Sequence, residues 1–456
     1  LNVFRIINGD MHFRELFRGS TIAFVFRLVS ALASYVFFYF LAQLYGPKGV
    51  GVFTTSWTIL MISSVVGKMG FDTSIVKFIA ESAGSRSYLR MRKIYRSGLR
   101  IILLSASVVA IILMALSGYV TGWFYETVSD NWVVILVGLS VIPYSLMSYN
   151  AESLKGLKRI LPFSVHQNVT IYFGALVLLF IVNSFYGHKE AAIIALVIIL
   201  LILMTSSFIT LRIYLKRYPN HDSHYSPEIP GPRKIINTTL PMMMTNSLFL
   251  VMNWTDVLML ANMTSDAAVG IYNVSLKIAA LNSIVLIAIN SIAMPKYAEL
   301  FKVNKIRFKQ VVKAVSFISF LVSFPVFLII LFFPQFILGL FGHEFQAGSY
   351  AMIVLSVGQL FAAFSGSTVI LMNMTGKEKA VLYLLIISVV INLLLNYYLI
   401  PVLGINGAAF ATSFSTILLN LLAVISIYRY TGFLTYPIFP LGQIKYYIRL
   451  LFDKEH

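Results

Sequence analysis

Three cations sit where a hydrophobic chain has least use for them. Arg27 interrupts the apolar run IAFVFRLVS, Lys68 lies in ISSVVGKMG, and Lys277 is carried inside DAAVGIYNVSLKIAA, which runs from Asp266 to Ala280. A lysine about two turns into an apolar membrane helix costs about 2.5–3.5 kcal/mol unless it faces a partner or a wet cavity. Arg27 and Lys277 therefore mark candidate binding positions. Lys68, one turn from the end of its run, is expected to snorkel its ammonium to the head groups, yet it stays in the candidate set. A polar stripe accompanies these cations. Asn246, Asn253 and Asp256 recur at i, i+7 and i+10, one side of a 3.6-period helix, while Asn273 and Lys277 are i, i+4 neighbours. Gln359, Asn392 and Asn396 carry a weaker form of the same pattern. A cleft lined by Arg27, Lys68, Asn246, Asn253, Asn273 and Lys277 would attract an anionic head group such as a phosphate or diphosphate. Asp256, the main acidic exception, is expected either to couple transport as a proton or sodium site or to act as counter-ion to Lys277.

Other chemistries lack their residues. There is no glycine-rich loop ending in Lys-Ser or Lys-Thr, no HExxH and no GxSxG elbow, so neither an ATP-driven pump nor an enzyme is expected. Cysteine is absent, and of the seven histidines only His221 and His224 lie close together, so no metal site and no cofactor is expected.

The elements that must position these residues are membrane helices. The chain has 456 residues, 59% hydrophobic and only 11% charged, with apolar runs near the length that crosses a bilayer. We read spans at 19–43, 51–70, 99–120, 131–150, 161–184, 191–212, 236–261, 270–293, 312–334, 350–372, 380–401 and 405–428. That is an all-α polytopic membrane protein of about twelve spans. The basic lead from Asn2 to Arg18 has no cleavable apolar segment, so the first helix is expected to be retained. A net charge of +18 would suggest nucleic acid in a soluble chain. Here, with the N-terminus taken as cytoplasmic, thirty of the 35 basic residues fall on inside segments, and only Lys48 and Lys189 on outside loops. The positive-inside rule then puts both termini in the cytoplasm, with no nucleic-acid partner. Phe71 to Arg96 is expected to lie partly as a basic interfacial helix. Prolines at 143, 241, 325 and 334 and the glycines near 404 and 407 are expected at kinks or turns.

The two halves resemble each other. Gly51, Val52, Phe53, Ser56 and Ile59 align with Gly270, Ile271, Tyr272, Ser275 and Ile278 at an offset of 219, and Gly156 in SLKGLKR aligns with Gly376 in NMTGKEK at 220. The same offset sets Asn246 against Arg27. We therefore expect an N-terminal six-helix lobe at 1–213, a proline-bearing cytoplasmic linker at 214–234, a C-terminal six-helix lobe at 235–428 and a basic cytoplasmic tail at 429–456. An even number of spans per half makes the repeats parallel, about an axis along the membrane normal. Position 58, equivalent to Lys277, is a threonine, so the cleft is expected to be asymmetric.

The GPKGVGVF turn with its echo AAVGIY, the MNMTGKEK turn and the stretch LGINGAAFATSFS from Leu403 to Ser415 resemble the polysaccharide (Wzx-type, O-antigen or exopolysaccharide repeat-unit) flippases of the MATE/MOP transporter superfamily. That resemblance implies two lobes around a central cavity in a prokaryotic cell membrane. It also implies movement of a polyprenyl-diphosphate-linked oligosaccharide from the cytoplasmic to the outer leaflet by alternating access, with a polysaccharide polymerase as a possible partner. Similar flippases of the peptidoglycan precursor use arginines on the first, second and eighth spans; Arg27 and Lys277 fall on the first and eighth. The short segment after Arg429 leaves no room for the two further spans of those proteins, which favours an O-antigen, capsule or exopolysaccharide repeat unit as cargo. The alternative is a multidrug cation antiporter of the same superfamily, for which deep carboxylates are expected.

Overall fold

The computed structural model describes residues 11–126, 131–188, 190–219, 251, 252 and 254–436. Regular structure among the described residues is helical throughout, with no strand. That is the form an apolar chain must take in lipid, because each helix satisfies its own backbone donors and acceptors. The described elements used below are α1 (Met11–Lys68), α2 (Phe71–Gly84), α3 (Tyr88–Ala115), α4 (Asn131–Gly156), α5 (Thr170–Tyr186), α6 (Ala191–Lys216), α7 (Asp266–Ala279), α8 (Leu281–Val303), α9 (Lys305–Phe332), α10 (Ser349–Ser365), α11 (Glu378–Leu403) and α12 (Ile405–Thr431).

Nine helices among the described residues are long and apolar enough to cross a membrane, or ten if the bent pair Ile160–Gln167 and Thr170–Tyr186 makes one crossing. The apolar part of α1, Val25–Lys68, has 44 residues. At 1.5 Å per residue that is about 66 Å, roughly twice a bilayer core of about 30 Å. It breaks at Gly46, whose φ of 61° is left-handed, immediately before Pro47. The first two expected spans are thus two crossings hinged at the GPKG turn. Most of the seventh expected span, including Asn246 and Pro241, and the greater part of the linker and tail lie outside the described residues.

The chain forms two compact units, one made of Glu15–Leu250 with Ser265–Ala267, the other of Val251–Thr264 and Ala268–His456 with Leu1–Arg14. The first unit is cored by Phe71, Ile75, Ile79, Met91, Ile102 and Leu154, where α2 and α3 close onto α4. Phe71–Gly84 is a helix with one face packed into the core, and the helix that holds the third expected span starts at Tyr88. The basic residues there lowered the local hydropathy without interrupting the helix, since they alternate with Met91, Ile94 and Tyr95, all buried. The second unit is cored by Tyr297, Phe308, Phe317, Leu385 and Ile427. Pro143 and Pro325 sit inside continuous helices, whereas Pro334 opens a short new one at Pro334–Gly339.

Polar groups inside these helices are mostly small and bonded locally. Ser140, Ser153 and Thr205 return their hydroxyls to the carbonyls of Leu136, Tyr149 and Leu201 at 2.8, 2.8 and 3.1 Å. Some buried bonds instead join helices distant in the chain, as in one chain of bonds in the first unit. The Tyr95 hydroxyl donates to Asn150 Oδ1 at 2.8 Å, and Asn150 Nδ2 donates to Ser207 Oγ at 3.0 Å, linking α3, α4 and α6. Asn150 is wholly buried, so removing its amide strands the Tyr95 hydroxyl. Asn150→Leu is expected to cost about 1–2 kcal/mol and lower the thermal unfolding midpoint of the purified chain in detergent. Adding Tyr95→Phe to that variant is expected to recover part of the loss.

Candidate functional site

The candidate residues fall into the two units and are described within each. In the first unit Arg27 lies on α1 with an exposed side chain. Lys68 ends the same helix and does not snorkel outward as its position suggested. It is only 7% exposed, donates to Ser148 Oγ at 3.4 Å and lies 5.6 Å from the ring centre of Tyr144. The aromatic face and the hydroxyl, both on α4, replace part of the hydration a head-group position would have supplied.

In the second unit Asn273 and Lys277 stand one turn apart on α7. Lys277 is half-buried, while Asn273 is 7% exposed and its Oδ1 has no hydrogen-bond partner among the described residues. A buried amide oxygen left open costs about 1–3 kcal/mol, so this position favours a donor from water or ligand. Asn246 and Asn253 are outside the described residues, and the proposed stripe is described only at Asp256.

Asp256, on the helical stretch 254–263, is 2% exposed and collects hydrogen bonds from three helices. The Tyr272 hydroxyl of α7 donates to Oδ2 at 2.8 Å and the Asn396 amide of α11 to Oδ1 at 2.6 Å. The Thr412 hydroxyl of α12 also donates to Oδ2. Asn396 in turn donates to Asn392 Oδ1 at 3.1 Å, one turn back on α11. The carboxylate is therefore engaged by neutral donors from three helices. Asn396 Oδ1 and Asn392 Nδ2 remain without a partner among the described residues.

Local sequence explains how these helices converge. The Leu403–Ser415 stretch turns α11 back on α12 at Gly404, with φ of 56°, and Gly407 then lies so close that a Cβ would sit 2.3 Å from the Leu399 carbonyl oxygen. This close crossing lets Asn392, Asn396 and Thr412 meet. Hydroxyl, amide and carboxylate oxygens around one buried point form a hard-oxygen set, suited to a proton or a small alkali cation. Among the described residues no group of three or more His, Cys, Asp or Glu side chains offers a transition-metal site. From the sequence, Asn392 and Asn396 carried only a weak signal, and Thr412 and Tyr272 none.

Known proteins share this organisation. The sequence profile of the family described as "Polysaccharide biosynthesis protein" matches residues 16–301, and that of the MatE family matches 241–398. The capsular polysaccharide biosynthesis protein CapF of Staphylococcus aureus is 25% identical over 419 residues, 89% of this chain and 97% of that protein. The probable low-salt glycan biosynthesis flippase Agl15 of Haloferax volcanii is 24% identical over 411 residues, 88% of this chain and 81% of that protein. Among solved structures, an inward-facing multidrug resistance MATE family transporter of the MOP superfamily superposes with a TM-score of 0.73 at 13% identity, covering 89% of this chain and 94% of its own. The lipid II flippase MurJ in an inward closed conformation gives 0.71 at 14% identity, covering 95% and 90%. The helical two-unit architecture is thus that of the MATE-like transporters, and the match over most of its length shows that this chain belongs to the polysaccharide biosynthesis protein family.

Proposed function

We propose that the protein is a flippase that moves polyprenyl-diphosphate-linked sugar repeat units from the cytoplasmic to the outer leaflet of a prokaryotic cell membrane, by alternating access of its two lobes. The observation that carries this function is the half-buried Lys277 one turn from the open amide oxygen of Asn273, in a chain of a polysaccharide biosynthesis family. CapF, a capsular polysaccharide biosynthesis protein, Agl15, a probable glycan biosynthesis flippase, and MurJ, a lipid II flippase, support the same class of cargo. Both termini are assigned to the cytoplasm, the lobes to 1–213 and 235–428, and the linker between them to 214–234. Capsule, exopolysaccharide or O-antigen units are the cargo classes, with a polysaccharide polymerase acting on the product.

The physical task is to take an anionic diphosphate across a low-dielectric slab of about 30 Å. Unassisted, desolvation of that charge is prohibitive. Arg27 and Lys277, with Lys68, Asn246, Asn253 and Asn273, supply compensating charge and hydrogen bonds to the head group, while the polyprenyl tail stays among the lipid chains.

Asp256 is assigned to coupling. Binding of a proton or sodium ion would neutralise the carboxylate and change the hydrogen bonds tying α7, α11 and α12 to it. A buried carboxylate is also what a multidrug cation antiporter would carry, and this is the observation that favours that second function. The sign of the deep charge near the cargo separates the two.

In a strain lacking its own repeat-unit flippase, Lys277→Ala and Arg27→Ala are each expected to reduce surface polysaccharide at least about tenfold while membrane levels of the protein are unchanged. Normal polymer in both variants rules out the cationic cavity, and restored resistance to cationic dyes without polymer indicates the antiporter. For coupling, sodium ions or acidification should raise the thermal unfolding midpoint of the purified chain. Asp256→Asn and Thr412→Val should each remove the response, whereas an undiminished response in both removes Asp256 from that role.

A further inference from the structure

The first unit contains a second cationic feature, built from none of the cargo or coupling residues named above. α3 and α6 each pack along α4, and between their basic ends they leave a groove of about 810 Å³. Arg92 and Arg96 enter it from α3, and Arg212 and Lys216 from α6. Each pair is spaced i, i+4, so the cations of each helix share a face. No aspartate or glutamate lines the groove among the described residues.

The groove is held open by structure rather than by chance side-chain placement. The Tyr95–Asn150–Ser207 bond chain ties α3 to α6 through α4 directly beneath it. At its rim Arg92 donates through Nη2 to the carbonyls of Leu215 and Tyr218, both at 2.9 Å, which caps the C-terminal end of α6 with a cation. Arg92 is thereby committed to the frame. Arg96, Arg212 and Lys216 are exposed.

Away from the cations the walls become apolar. Leu99 and Ile209 line the groove, and the surface continues along α3 through Leu103 and along α6 through Ile202, which are 46% and 50% exposed. A cationic mouth opening onto two exposed apolar trails matches the two parts of a lipid better than it matches a soluble anion. The second unit does not repeat the four cations. At the offset of 219 their positions become Val311, Val315, Thr431 and Thr435. Helix-end positive charge, if it served topology alone, would have no need of a preformed groove.

We propose that this groove is a binding site for the phosphate head group of an anionic bilayer phospholipid, whose acyl chains lie along Leu99–Leu103 and Ile209–Ile202. The occupant is assigned to bulk phospholipid because such lipid vastly outnumbers any polyprenyl carrier around a membrane-facing groove, and mass action fills it accordingly. The site requires only that the chain be embedded in a membrane, and stands apart from the cargo and the coupling ion.

The test titrates the full-length, delipidated chain in detergent with dioctanoyl phosphatidylglycerol and, separately, dioctanoyl phosphatidylcholine, following the thermal unfolding midpoint. Stabilisation by the first lipid and not the second is expected. With Arg96→Gln/Arg212→Gln the apparent affinity should fall about 30-fold, two basic side chains at about 1 kcal/mol each. Lys305→Gln/Lys379→Gln, with the same change in net charge in the other unit, should leave it unaltered. Equal affinity in the groove variant and the unsubstituted chain overturns the site. Equal stabilisation by inorganic pyrophosphate overturns its lipid character, and a preference of tenfold or more for farnesyl diphosphate reassigns the groove to the polyprenyl carrier and overturns the phospholipid. Should the double variant fail to fold, Ile209→Trp fills the groove without changing charge. It should weaken phosphatidylglycerol binding at least tenfold, and unchanged binding to it likewise overturns the proposal.

Discussion

A carboxylate carried on a membrane helix has to find its hydrogen bonds inside the protein, and Asp256 imposes that condition on the second unit. Its oxygens take donors from α7, α11 and α12 at once, so none of these helices can shift along its axis without breaking a buried bond. The α11–α12 hairpin meets the condition by approaching closely at Gly407, and the amide ladder Asn392–Asn396 extends the polar patch one turn along α11. Hydrocarbon outside cannot replace a lost donor, so rearrangement must be concerted, or an ion must arrive to substitute for what is lost. A single buried charge thus ties three helices into one mechanical unit.

The first unit also ties its helices together through neutral groups. Ser56 meets the Tyr125 hydroxyl at 2.8 Å, Tyr149 donates to the Tyr95 carbonyl at 3.0 Å, and Asn150 joins Tyr95 to Ser207. Neutral bonds of this kind are each worth little, about 0.6–2 kcal/mol, but their alternative in lipid is an open polar group. They define helix spacing through bonds that carry no net charge.

The spans were legible because each apolar run is about as long as a bilayer is thick, and the GPKG and LGING turns were legible because glycine and proline punctuate them. The repeat was legible too. Ser56 and Ser275, aligned at an offset of 219, both turn their hydroxyls toward a segment downstream in their own unit, at Tyr125 and at Gly348. What escaped the sequence depended on distant partners. Lys68 resembles a snorkelling lysine until Tyr144 and Ser148, some 80 residues on, are folded over it. Asn392, Asn396 and Thr412 look like ordinary helix-contact residues until a hairpin and Asp256 bring them together, since Asp256 precedes Thr412 by 156 positions. The extension of α3 back to Tyr88 was hard to see for a different reason, because hydropathy fell at its arginines while the helical period did not.

The pseudo-repeat clarifies how charge is distributed. Thr58, equivalent in position to Lys277, is wholly buried and returns its hydroxyl to the Thr54 carbonyl at 2.8 Å. Such a self-satisfied hydroxyl can sit in either copy at almost no cost, which makes it a natural default for a duplicated membrane helix. A lysine in the same place needs its own compensation and cannot be inherited by both copies for free. The same holds where Arg92, Arg96, Arg212 and Lys216 stand against Val311, Val315, Thr431 and Thr435. The positions that duplication left alike are the turns, the glycines and the small hydroxyls that let helices pack. At these ionic positions, where the halves part, each charge needs a compensation of its own that a duplicated hydroxyl does not.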